Sequence, residues 1–159
     1  MKLHNATVLI TGANRGIGLP FARDALKRGA RKVYAGVRDP ATVTLRGVEA
    51  IRLDVTKPED VNAAARRLGD VTVLINNAGI GRTGGFLAED SIETARAQLE
   101  TNYFGPLRMS LAFAPVLAAN GGGAILNVLS IASWISSSTR SVPVRNRKDA
   151  ASSPSATRS

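Results

Sequence analysis

Residues 7–30 read "TVLITGANRGIGLPFARDALKRGA", and the order of residue types in this stretch decides the fold. Thr7 to Thr11 is β-branched and apolar and ends at Gly12, the pattern of a short buried strand. After the turn, Ile17, Phe21, Ala25 and Leu26 recur at helical spacing, with Arg23, Asp24, Lys27 and Arg28 elsewhere, and Gly29 supplies the stop. Pro20 falls in the first helical turn, where a missing N–H costs little. Gly12, Gly16 and Gly18 sit between strand and helix. Glycine suits such a turn because a side chain would hold the backbone away from a pyrophosphate, and because the helix must lie close on its strand.

The pattern continues outward. "KVYAGV" (32–37) and "VEAIRLDV" (48–55) read as second and third strands. Pro58 then opens a helix with acids in its first turn and arginines in its last, the arrangement a helix dipole favours. "VTVLINN" (71–77) is a near-continuous apolar run, as expected of a parallel strand covered on both faces. Residues 91–120 read as one long helix whose apolar side is Ile92, Ala95, Leu99, Tyr103, Leu107, Phe113 and Leu117, and "GGGAILNVLS" (121–130) gives a fifth strand. This alternation predicts an α/β chain with a parallel sheet and helices on both faces.

Periodicity stops after "SIASWI" (130–135): residues 136–159 hold 8 serines in 24 positions and are expected to stay disordered, since they cannot bury enough apolar surface to offset their ordering entropy. The organisation read here is a folded domain over 1–135 and a basic tail over 136–159. The net charge is +9, and residues 140–159 alone carry five basic groups against Asp149. The tail lacks aromatic residues for base stacking, which argues against nucleic acid as a partner. With no cysteine and one histidine, His4, neither a thiolate metal site nor a histidine-based triad can form, and no metal site is expected. The N-terminal apolar run "ATVLI" is too short for a signal core or a span, so a cytoplasmic protein without membrane contact is expected.

The glycine spacing is T-G-x-x-x-G-x-G, and with it the chain resembles the short-chain dehydrogenases/reductases. Thr11 to Gly18 matches that family's fingerprint, "NNAG" (76–79) its motif after the fourth strand, Asp54 in "LDVT" its adenine-contacting aspartate, Asn102 in "ETNYFG" its active-site asparagine, and Ser130 in "NVLSIAS" its catalytic serine. The resemblance implies a Rossmann-like doubly wound sheet, here incomplete at about five strands. It also implies an oxidoreductase that passes hydride between a nicotinamide dinucleotide and a small alcohol or carbonyl, in a family whose members are commonly homo-oligomeric. Carried over by position, cofactor contacts fall on Thr11, Gly12, Asn14, Arg15, Gly16, Ile17, Gly18, Arg38, Asp54, Asn76, Ala78 and Gly79. Catalytic roles fall on Ser130, which would bond the substrate oxygen, and Asn102, which would help hold a relay water.

Two departures matter. Where an NAD-selective member would carry an acid after the second strand, the sequence has Val37 and then Arg38, and Arg15 precedes Gly16; both arginines suit a 2′-phosphate, so NADP(H) is favoured over NAD(H). Asp39 opposes this if the register shifts by two. The family's Tyr-x-x-x-Lys is also missing: about a dozen residues beyond Ser130 stand Pro143 and, four further, Arg147, neither of which replaces a tyrosine–lysine pair. The chain is therefore expected to be inactive, with the fifth strand an exposed edge. The favoured account is a reading frame lost near Thr139; the alternative is a genuine basic tail on a non-catalytic dinucleotide- or polyanion-binding module.

Overall fold

The computed structural model describes residues 3–81 and 89–130, so the expectations for the 136–159 tail and its 135/136 boundary lie outside the described residues. Five parallel strands, β1 (Thr7–Thr11), β2 (Lys32–Val37), β3 (Glu49–Arg52), β4 (Val73–Asn76) and β5 (Ala124–Asn127), form one sheet in the order β3-β2-β1-β4-β5. The chain runs outward from β1 to one edge, then returns to β1's other side. That reversal places a crevice beyond the carboxyl ends of β1 and β4, where open α/β sheets take their ligands.

Side chains alternate across the sheet. Val8, Ile10, Val33, Ala35, Val73 and Ile75 pack with Ala22 and Ala25 of α1 (Gly18–Lys27). The remaining helices are α2 (Pro58–Arg67), α3 (Ser91–Leu99) and α4 (Gly105–Ala119). Leu9, Tyr34, Ile51 and Leu74 face the other way, against Val61, Ala64 and Leu68 of the α2 region and Met109, Phe113 and Leu117 of α4. The sheet is thus doubly wound. At the amino ends of the strands, Asp70 accepts from the Tyr34 hydroxyl (3.0 Å) and pairs with Lys32 (3.3 Å). Lys32 also donates to that hydroxyl (2.9 Å), and its ammonium pKa is raised by this bond first and by Asp70 second.

The long helix corrects the sequence reading. Phe113 and Leu117 are buried as expected, but Ile92, Ala95, Leu99, Tyr103 and Leu107 are exposed, and the inward face of α4 is Gly105, Met109, Phe113 and Leu117. A π-helical turn at Glu100–Phe104 breaks the register, with the Gly105 N–H reaching back five residues to the Glu100 carbonyl. Pro106 accounts for it: proline has no N–H to offer Asn102, four residues earlier, and its ring crowds that carbonyl. Ile17 likewise stands outside the core at 62% exposure, in the turn preceding α1. Among the described residues β5 is an edge strand, with Ile125 and Leu126 exposed.

Candidate functional site

The crevice is built around Thr11, the last residue of β1. Its buried hydroxyl accepts from the backbone N–H groups of Asn77 (3.0 Å) and Ala78 (2.9 Å) and donates to the Ile75 carbonyl (3.4 Å). Asn77 returns the contact, its side-chain amide donating to the carbonyls of Thr11 (2.9 Å) and Gly12 (3.3 Å). The glycine turn and the β4 loop are therefore one assembly. Thr11 acts as its clamp, and Asn77, not singled out among the sequence candidates, is the reciprocal half; its signal lay in the "NNAG" stretch itself.

The glycines divide by what they face. Gly18 lies so near the Gly12 backbone that a Cβ there would come within 2.3 Å of the Gly12 carbonyl oxygen, whereas a Cβ at Gly16 would meet no protein atom within 4 Å. Gly18 permits helix-on-strand packing. Gly16, at φ +55°, opens onto the cradle, and a side chain there would fill the space a phosphate needs. This open backbone at the start of α1 fits a dinucleotide pyrophosphate. Asn14 and Arg15 stand in the same turn, with Arg15 exposed.

At the end of β2, Arg38 is exposed, and Asp39 turns its carboxylate onto its own chain, accepting from the Ala41 N–H (3.0 Å) at the start of a 3-10 turn, Pro40–Thr42. Asp54 follows β3, and its Oδ1 accepts from the Thr56 N–H (3.0 Å) and hydroxyl (2.7 Å). It is not the cap of α2, whose N-cap is Lys57. Burial pushes the Asp54 carboxyl upward, but the Thr56 bonds and the charges of Arg38 and Lys57 outweigh it, leaving the pKa below the ordinary value. A depressed carboxylate stabilises the fold above its unfolded pKa of about 3.9, and that contribution is lost as pH falls through the lower folded value. Melting temperatures should fall between pH 5 and pH 3, and Asp54→Asn should flatten that part of the profile; an unchanged slope would refute the assignment.

Asn76 is buried, its Nδ2 donating to Asn127 Oδ1 (2.9 Å) on β5 and to Ser110 Oγ (3.4 Å) on α4. Its contribution is to fix where Asn77, Ala78 and Gly79 emerge. Asn102, on the π turn, reaches the same loop: its Oδ1 accepts from the Ile80 N–H (2.9 Å) and its Nδ2 donates to the Ile80 carbonyl (2.8 Å). A Cβ on Gly79 would sit 3.4 Å from that Oδ1. Ser130 follows β5 by three residues, at the same carboxyl edge of the sheet. No group of three or more His, Cys, Asp or Glu side chains able to hold a metal occurs among the described residues. Nor is any described helix long and apolar enough to cross a membrane.

The strand order, the glycine cradle and the clamp that closes it define a Rossmann-type nucleotide-binding α/β domain. The model of the short chain dehydrogenase family matches residues 6–142, and the chain belongs to that family of nicotinamide-dinucleotide oxidoreductases. An uncharacterized oxidoreductase of Schizosaccharomyces pombe is 34% identical over a 141-position alignment that covers 84% of this chain and 48% of that protein. A short chain dehydrogenase from Burkholderia cenocepacia, solved in complex with NADP, superposes with a TM-score of 0.80 at 45% identity, covering 86% of this chain and 58% of that one. A 3-ketoacyl-(acyl-carrier-protein) reductase from Brucella melitensis, solved with NADH, gives 0.73 at 33% identity, covering 82% and 60%. The chain spans about half the length of the curated relatives it matches.

Proposed function

We propose that this chain binds NADP(H) through its 1–135 unit, in preference to NAD(H), and does not by itself catalyse hydride transfer. The observation that supports the cofactor choice is at Asp39: one carboxylate oxygen is turned back onto the Ala41 N–H, while the arginines at 15 and 38 are exposed on the glycine turn and the segment after β2. The pyrophosphate would lie over Gly16 at the start of α1, the adenine beside Asp54, and the 2′-phosphate between Arg15 and Arg38. Bound nicotinamide supplies hydride for an alcohol–carbonyl interconversion. The chain's own part in that chemistry rests on Ser130, to bond a substrate oxygen, and Asn102, to hold a water beside the β4 loop.

The proton donor is the missing part. The chain has two tyrosines: Tyr34 is bonded to Asp70 and Lys32 at the opposite end of the strands, and Tyr103 is exposed on the π turn. The same reading expects a cytoplasmic protein, with small alcohols or carbonyls as the substrate class and homo-oligomeric assembly of the kind common in intact members of the family. Calorimetric titration with NADP+ and NAD+ should show tighter binding of NADP+. Gly16→Ala should remove binding at the cost of only about 1 kcal/mol of stability from the left-handed backbone. NADPH oxidation over a panel of ketones and aldehydes should be absent; turnover abolished by Ser130→Ala would overturn the claim of inactivity, and equal affinity for both dinucleotides would overturn the cofactor choice.

A further inference from the structure

We propose that Thr42 is a positioning residue for recognition of the 2′-phosphate, acting through Asn14; the proposal rests on the NADP(H) reading above. Asn14 Nδ2 donates to Thr42 Oγ1 (3.0 Å), and that hydroxyl donates in turn to the Asp39 carbonyl (2.6 Å). The relay joins segments 28 residues apart in sequence, the glycine turn and the connection that follows β2.

What it joins explains its use. Asn14 is the neighbour of Arg15, and Asp39 is the neighbour of Arg38, so the relay ties together the backbone on which the two guanidinium groups are carried. A phosphate held by two arginines needs both within charge-assisted bonding distance at once, and such bonds weaken quickly as the donors separate. The same relay closes the Asp39–Thr42 turn, in which the Thr42 N–H also bonds the Asp39 carbonyl (3.2 Å) and the Asp39 carboxylate takes the Ala41 N–H. Opening the turn would release a carboxylate at the ribose, where it repels a phosphate and accepts a bare hydroxyl. One hydroxyl thus holds two cations together and keeps an anion turned aside. The task needs a group that accepts and donates at once, which serine keeps and valine lacks.

The test uses the full 159-residue chain and calorimetric binding constants for NADP+ and NAD+, which differ only by the 2′-phosphate. Thr42→Val should lower the preference for NADP+ by about tenfold, the size of one bond to a charged group, through weaker NADP+ binding. Thr42→Ser should retain the preference. Thr42 is exposed, so the variants should keep the wild-type circular dichroism, and Thr42→Ala serves as a second deletion of the hydroxyl if valine disturbs the turn. A wild-type chain that prefers NADP+ while both deletion variants keep that preference would overturn the role of Thr42 alone. Parallel weakening of both ligands in the two variants would overturn it too, as the mark of a structural bond. Absence of any preference in the wild type would instead sink the cofactor reading beneath it.

Discussion

Gly18→Ala should lower stability by about 3 kcal/mol, the upper part of the range for overpacked sites, and should abolish dinucleotide binding along with it. The new Cβ would stand 2.3 Å from the Gly12 carbonyl oxygen, 2.5 Å from Asn77 Nδ2 and 2.9 Å from the Gly12 carbonyl carbon. Two of these three atoms are backbone and have no rotamer through which to yield. Relief requires α1 to lift away from β1, which opens contacts around Ala22 and Ala25 and tears the Asn77 bond to Gly12. Urea titrations give the measurement: a lower midpoint with an unchanged slope is expected. An alanine variant within about 0.5 kcal/mol of wild type, the usual scatter for harmless surface changes, would show that the approach is looser than drawn. The contrast with Gly16→Ala is informative, because there the methyl group meets no protein atom and the stability loss is only the roughly 1 kcal/mol of a left-handed backbone.

Thr11→Val should be comparably costly, by about 2–4 kcal/mol, since removing one partner leaves buried donors unpaired at about 1–3 kcal/mol each. Valine fills the same volume. It strands the N–H groups of Asn77 and Ala78, which both converge on the threonine oxygen, and withdraws the donor from the Ile75 carbonyl. Thr11→Ser keeps the oxygen and should lose only the packing of one methyl group, about 1 kcal/mol. Chemical denaturation of the two variants decides the matter: equal destabilisation would mean that packing outweighs the bonds.

Much of this architecture was legible in the sequence for a physical reason. β1 and β2 form over the residues their apolar runs predict, because a parallel strand covered on both faces has no way to bury polar groups cheaply. β3 is shorter than its apolar run: the strand is Glu49–Arg52, although the Leu53 N–H still bonds the Val37 carbonyl. The long helix departs more instructively. Its apolar spacing is real, but a single period does not run through Pro106, and the slip that proline forces turns Ile92, Leu99 and Tyr103 away from the core.

At the site, the glycine turn, Asp54, the "NNAG" loop, Asn102 and Ser130 all come to the carboxyl edge of the sheet. Their individual duties were less legible. Thr11 and Asn76 face inward and serve the framework, and Asn102 is engaged by Ile80. Spacing along a chain tells which end of a strand a residue occupies, but not which neighbour takes its hydrogen bonds. Asp39 shows the same limit: its place after β2 is legible in the sequence, but its bond to the Ala41 N–H is not.

The Thr11 clamp also bears on the order of events during synthesis. The glycine turn is local in sequence, yet the bonds that close it reach 66 and 67 residues ahead, to Asn77 and Ala78. On the ribosome, β1, α1 and β2 can emerge and pair while the turn still lacks its far wall. Nonlocal closure of this kind comes late, because the entropy of a long loop must be met before its contacts are rewarded. In a pulse-labelling experiment the amides of Asn77 and Ala78 should gain protection after those of Val33 and Ala35. A nascent chain halted before β4 has left the exit tunnel should carry its phosphate fingerprint without yet having a phosphate site.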